Sequence, residues 1–169
     1  MQYCPQCRSD LEPKTIDEFQ RLACSADCGY VFWNNPTPVV AVIVETPQGV
    51  VLAHNKAWPA GRFSVITGFL ERGEHPHDCA VRETAEELGL KAQKVNFVGF
   101  EVFDGQGISG AVFNQLIIGF HIYAEGSIVL DQQELDDYKL IPLEKLQGWQ
   151  SATGRLVEQW LQQRADQRS

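Results

Sequence analysis

The chain has 169 residues, 44% of them hydrophobic, enough for one domain with its own core plus a small appendage. Acidic side chains outnumber basic ones 22 to 14, and the formal charge of −8 argues against broad binding along a phosphate backbone. The longest aliphatic run, Val39 to Val44, is far too short to span a membrane, and the amino terminus MQYCPQCRSD is no signal peptide, so the expected location is the cytoplasm.

Cysteines mark the first predicted element. Cys4 and Cys7 form one short-spaced pair, and sixteen residues later Cys24 and Cys28 form another. Disulfides are one reading of this pattern. In a cytosolic chain they are rare, and a segment of this size does not stabilise itself without a metal or crosslink. The favoured reading is a structural Zn²⁺ held by four thiolates in a small zinc ribbon over residues 1–34. Arg8 follows Cys7 where a glycine often turns such a knuckle, and the second pair has three intervening residues instead of two. The ribbon carries Arg8, Lys14 and Arg21 against Asp10, Glu12, Asp17, Glu18 and Asp27, a balance that disfavours nucleic acid as its partner.

Asn35-Pro36-Thr37-Pro38 reads as a linker into a second domain, residues 35–169, because two prolines hold the chain extended. Val39 to Glu45 and Val50 to His54 read as strands of a hairpin, and Arg62 to Thr67 as a further strand leading into Gly68. Pro76 suits a first helical turn and Gly89 the position just past the end, so a helix is predicted from Pro76 to Leu88. At about 100° per residue, Val81, Thr84, Ala85 and Leu88 fall on a packed side and Glu83, Glu86 and Glu87 on the opposite, exposed side. A strand around Val95 to Phe103, a glycine-rich loop from Asp104 to Gly110, a strand from Asn114 to Ala124, and another from Tyr138 to Ile141 follow. The last helix carries Leu156, Val157, Trp160 and Leu161 as an apolar stripe. Mixed strands with two covering helices predict an α/β fold, a three-layer α/β/α sandwich.

Like charges one helical turn apart repel, so a solvated face competes with a cation site as the explanation of the glutamates. A carboxylate cluster suits hard cations such as Mg²⁺ or Mn²⁺, which bridge protein and substrate phosphate. The full string is Gly68, Glu74, then Arg82-Glu83-Thr84-Ala85-Glu86-Glu87-Leu88-Gly89-Leu90. It resembles the Nudix box, with Thr84 standing where an aliphatic side chain is commoner. The resemblance implies the same α/β/α sandwich and a divalent-metal-dependent hydrolysis of a diphosphate linkage in a nucleoside diphosphate derivative, releasing a nucleoside monophosphate. It implies Glu83, Glu86 and Glu87 as metal ligands, with the carbonyl of Gly68 completing the shell. Arg82 would brace the carboxylates, and Glu74 would position that arginine or bind a further metal. The general base is a box glutamate or an acid outside the box, for which Glu134 is the candidate.

A zinc ribbon ahead of a Nudix domain resembles the NADH pyrophosphatases and a related group that cleaves FAD or ADP-ribose. The NADH group carries a motif of proline and tryptophan downstream of the box, and Gly105 to Gln115 contains neither. Trp58, Phe63, Phe69, Phe100 and Phe103 are candidates for stacking a ring, with Trp58 in its loop singled out. Cys79 reads as a buried inert thiol, and His54, His75, His77 and His121 form no metal pattern. The segment Asp104 to Gly110 lacks the lysine of a P-loop and reads as a mobile loop or lid. The expected partner is a small nucleotide-derived molecule. A nucleotide-sensing protein and an RNA-cap-directed one, with the ribbon as a binding module, remain the alternatives, and a homodimer is left open.

Overall fold

The computed structural model describes residues 1–107 and 110–167. Its contacts divide the chain into two compact units, Met1–Asn35 and Pro36–Ser169.

In the first unit β1 (Leu11–Ile16), β2 (Phe19–Cys24) and β3 (Val31–Phe32) form an antiparallel sheet in that order. Asp17 and Glu18, at φ 49° and 69°, join β1 to β2. Two left-handed residues in a two-residue turn match the twist of the strands they connect, although neither is the glycine or asparagine that adopts this conformation most easily. The knuckle at the amino end closes by Cys4 N–H to Ser9 O at 2.8 Å and Arg8 N–H to Cys4 O at 2.9 Å. Arg8 sits at φ 66°, so the backbone keeps the turn that a glycine would make and accepts the strain of a side chain there.

The second unit is a mixed sheet between two helices. Its strands are β4 (Thr37–Thr46), β5 (Gly49–Asn55), β6 (Ile66–Phe69), β7 (Lys91–Gln106), β8 (Val112–Glu125) and β9 (Leu135–Ile141). They run in the order β7-β8-β4-β5-β9, with β6 paired to β4. β4 and β8 are parallel and the other pairings antiparallel. The aliphatic run in β4 is buried on both faces because each face carries a helix. Val40, Val42 and Val44 pack toward α1 (Pro76–Leu88), with Leu88, Leu90 and Ile122. Ala41 and Ile43 pack the other way, with Leu156 and Val157 of α2 (Ala152–Asp166). The period-two alternation of a strand thus divides one run of residues between two cores.

Four expectations change. Thr37 and Pro38 already belong to β4, opposite Gln115 and Leu116, so the linker is shorter than predicted; proline is tolerated at the start of a strand. The strand expected from Arg62 starts only at Ile66, preceded by an isolated bridge between Ser64 and Ala53. The segment expected as a loop from Asp104 is strand through Gln106, because β8 pairs with it residue by residue. Beyond it, Gly110 N–H bonds to Gly107 O at 3.0 Å, and Ile108 and Ser109, part of the segment expected as a loop, lie outside the described residues. On α1, Ala85 is exposed and Glu87 is buried, the reverse of the helical-wheel expectation. No helix among the described residues is long and apolar enough to cross a membrane.

Candidate active site

α1 begins where His75 Nδ1 accepts the backbone N–H of His77 at 3.2 Å and Pro76 takes the first helical position. It ends at Gly89, φ 65°, whose N–H bonds to Ala85 O. Between these ends Arg82 gathers the acids. Its Nε and Nη2 donate to the two oxygens of Glu74 at 2.8 and 2.9 Å, and its Nη1 donates to Glu83 at 2.7 Å and Glu86 at 2.8 Å. The same guanidinium donates to the Phe69 carbonyl at 3.2 Å, tying helix to β6. Such a two-oxygen pairing fixes orientation as well as charge. Hydrogen bonds from Arg82, then from the backbone N–H of Glu71, hold the Glu74 carboxyl down at about 2. Glu71 itself is exposed and contributes that backbone donor.

Glu87 has a different environment. It is only 6% exposed, and burial first, then the charges of Glu83, Glu134 and Asp131, push its carboxyl up to about 8. Burial also raises Glu83, against the pull of Arg82. The downstream acids arrive because Val129 N–H bonds to Leu88 O and Asp131 N–H to Glu87 O, each at 2.9 Å. That fastens the turn carrying Asp131 and Glu134 to the end of α1. The sequence reading missed Asp131; its position in the acidic run beside Glu134 was the available signal. Gly68, on β6, lies directly under Glu83: a Cβ there would come within 2.0 Å of the Glu83 carboxyl. A buried carboxyl beside three more acids offers the oxygen donors that a hard divalent cation takes.

Cys79 is fully buried and its thiol is pushed up to about 12, chiefly by burial, which disfavours the thiolate form. The four histidines join no metal cluster: among the described residues the four cysteines are the one group whose ligand atoms all gather within 4.8 Å. Cys4 Sγ lies 3.5 Å from Cys28 Sγ, and Cys7 Sγ 3.3 Å from Cys24 Sγ. These separations are far beyond a disulfide bond and close to the edge of a tetrahedron around Zn²⁺, roughly 3.8 Å for Zn–S bonds of about 2.3 Å. Cys7 is drawn down to about 6, first by the Ser9 side chain, while Cys28, against a backbone hydrogen bond at Tyr30 that lowers it, is pushed up to about 12 by the Cys24 sulfur and by burial; a metal would require all four as thiolates.

A cavity of 350 Å³ opens beside Gly68 and Phe69, lined by Trp58, Phe103, Phe113 and Gln115 among others. Phe103 and Phe113 face each other at 6.2 Å, and Arg62 lies over the Trp58 ring at 5.8 Å. Of the aromatics singled out, Trp58, Phe69 and Phe103 line this slot. Phe63 instead packs on His54 with Lys139 over its ring, and Phe100 packs on Phe97. Arg62, Phe113 and Gln115 were missed. Phe113 and Gln115 are two apart on a strand, so period-two spacing already put them on one face.

A model of the NUDIX domain matches residues 35–161. The NAD-capped RNA hydrolase NudC of Pseudomonas aeruginosa is 26% identical over 167 residues, covering 96% of this chain and 56% of that protein. The protein of the same name from Pseudomonas putida is 28% identical over 134 residues, 79% of this chain and 46% of that protein. The chain thus spans about half the length of the curated relatives it matches. Among solved structures, a NUDIX hydrolase from Nitrosomonas europaea superposes with a TM-score of 0.71 at 20% identity, covering 98% of this chain and 93% of that one. The NUDIX domain of Shewanella oneidensis NrtR complexed with ADP ribose gives 0.59 at 15% identity, over 79% and 89%. These likenesses give the fold, and the family model, which covers most of the chain with the box in place, gives the membership: the chain belongs to the Nudix hydrolase family.

Proposed function

We propose that the chain hydrolyses the diphosphate linkage of a nucleoside diphosphate derivative of the ADP-ribose, FAD or NAD(H) kind and releases a nucleoside monophosphate. One observation carries this reading: Gly68 lies against the Glu83 carboxyl, itself beside the buried Glu87 with Asp131 and Glu134, and the same Gly68 lines an aromatic slot of 350 Å³. Glu83, Glu86, Glu87 and the Gly68 carbonyl would hold Mg²⁺ or Mn²⁺. Such an ion supplies charge neutralisation on diphosphate oxygens and a bound water acidified toward neutral pH. Arg82, anchored on Glu74, keeps Glu83 and Glu86 turned to the same side. Glu134, on its docked turn, is the acid read as taking the water's proton. Trp58, with Phe69 and Phe103, stacks the ring of the substrate and so positions the diphosphate over Gly68.

The four cysteines hold a structural Zn²⁺, and free thiols at that spacing suit a reducing cytoplasm. A second reading has its own support. The similarity to the NAD-capped RNA hydrolases of Pseudomonas aeruginosa runs over 96% of this chain, ribbon included, so the expectation against nucleic acid loses force. The ribbon's excess of acidic side chains still favours the small molecule.

A hydrolysis panel with Mg²⁺ or Mn²⁺, covering ADP-ribose, FAD, NADH and an NAD-capped oligoribonucleotide, tests both. Release of a nucleoside monophosphate from a small dinucleotide is expected. Cleavage of the capped oligonucleotide alone would replace the first reading by the second, and tight ADP-ribose binding without turnover would make the chain a sensor.

A further inference from the structure

His54, at the end of β5, is 8% exposed and has no place in the chemistry above. Both its ring nitrogens are engaged. Nδ1 lies 2.6 Å from Oδ1 of Asp136, and Nε2 lies 3.2 Å from the carbonyl of Pro59. A carboxylate and a carbonyl only accept, so this geometry is satisfied by a ring that donates from both nitrogens, an imidazolium. Asp136 reaches His54 because of a bulge: His54 pairs with Asp137 and Asn55 with Leu135, which leaves Asp136 as the extra residue on β9. Bulges re-aim side chains in this way.

The two partners of His54 belong to different working segments. Residues 54–63 make an excursion closed at its neck by Ala53 N–H to Ser64 O at 2.8 Å and Ser64 N–H to Ala53 O at 3.0 Å. That excursion carries Trp58 and Arg62 into the slot, and Pro59 follows Trp58 directly. Asp136 follows Glu134 by two residues, at the second position of β9, just past the acidic turn docked on Glu87. Lys56 runs the same way across the gap, its backbone N–H donating to Glu134 O at 2.9 Å and its Nζ to Gln132 O.

We infer that His54 is a positioning residue, an imidazolium clasp that fixes the Trp58 loop and the Glu134 turn to each other. The inference rests on the reading of Trp58 and Glu134 given above. It makes ring binding and the acidic turn mechanically dependent on one buried proton. The charged groups around the ring are Asp136 and Asp137 from β9, with Lys139 beyond Phe63, whose ring it covers at 3.8 Å. The Asp136 hydrogen bond, outweighing burial and joined by the Pro59 carbonyl, lifts His54 above its ordinary value, in keeping with this geometry.

The test uses the full chain, His54→Gln and Asp136→Asn. Nitrogen-15 NMR of His54 should give an imidazolium at pH 7 in the parent, and titration at lower pH in Asp136→Asn. Hydrogen exchange should rise together in 55–62 and 131–136 in both variants while α1 stays protected. With Mg²⁺ and ADP-ribose, His54→Gln should raise KM and lower kcat, each about tenfold, and Asp136→Asn should recover toward the parent as pH is lowered. A neutral His54 ring at pH 7 in the parent, exchange rising in one segment only, or unchanged KM and kcat in a parent that turns ADP-ribose over would overturn the clasp. A parent inactive on every diphosphate sinks the functional reading instead, and the NMR and exchange results then decide the clasp alone.

Discussion

The backbone N–H of Asp131 donates to the carbonyl of Glu87 at 2.9 Å, so the last turn of the glutamate helix and the downstream acidic turn are one fastened unit. Two acids from distant sequence are thereby brought against a third that is already buried. Burial and these acids all push Glu87 upward, whereas Arg82 holds Glu74 down.

Glu87→Gln should therefore remove activity without removing stability. Turnover with Mg²⁺ is expected to fall by about 10² or more. The Glu87 carboxyl is raised from 4.5 to about 8 in the folded chain, so the folded state retains a proton that the unfolded state loses in that window. Metal-free stability should then decline as pH rises from about 4.5 to about 8, and the glutamine variant should lack the decline. Melting temperatures across that range, with and without Mg²⁺, check both halves; a variant with parental turnover would end the metal-ligand assignment.

Gly68→Ala places a Cβ within 2.0 Å of the Glu83 carboxyl, so Glu83 must move. We expect turnover to be lost and stability to drop by about 1–3 kcal/mol, the usual cost of overpacking. Gly105→Ala, where an added Cβ meets nothing within 4 Å, serves as the control and should leave both measurements unchanged.

Trp58→Ala should raise KM for a cleaved dinucleotide about tenfold with little change in kcat, since it removes ring stacking remote from the reacting phosphorus. Phe100→Ala, on a side chain that packs on Phe97 outside the slot, should not. Equal effects from both would detach the slot from substrate binding.

Purified protein should contain one Zn²⁺ per chain. Chelation should unfold Met1–Asn35, a unit too small to hold a core alone, while Pro36–Ser169 keeps its cooperative melt. Zinc analysis and hydrogen exchange before and after a strong chelator give the answer, and a fully protected ribbon in metal-free protein would refute the assignment.

α1 was legible to the residue because Pro76, Gly89 and an unbroken run between them are local signals. The character of Glu87 was not. The helical wheel placed it with Glu83 and Glu86, but it is buried and feels the charges of Asp131 and Glu134 from a turn fastened to it over more than forty positions of chain. Gly105 carried a loop signal that lost to a cross-strand partner, Phe113, and Pro38 carried a linker signal that lost to Leu116. In the ribbon the cysteine spacing was decisive, and Arg8 at φ 66° kept a glycine's conformation without being glycine. Turn chemistry is a preference that the hydrogen bonds closing the knuckle, Cys4 N–H to Ser9 O and Arg8 N–H to Cys4 O, override here.

β6 is only four residues long, yet Ile66 belongs to the core beneath α1, Gly68 lies against Glu83, and Thr67 and Phe69 line the slot. Successive residues of a strand face opposite ways and stand about 3.3 Å apart. On the function proposed above, the hydrogen-bonded frame of this strand against Val39–Val42 of β4 would act as a ruler, setting how far a stacked ring lies from the bond to be cut. A slip of one residue would carry the side chain of Phe69 or Thr67 under Glu83, where Gly68 leaves room for its carboxyl, while every residue type stayed the same. Selection for a longer or shorter substrate would act on the depth of the slot, because the ruler itself has no finer graduation than one residue.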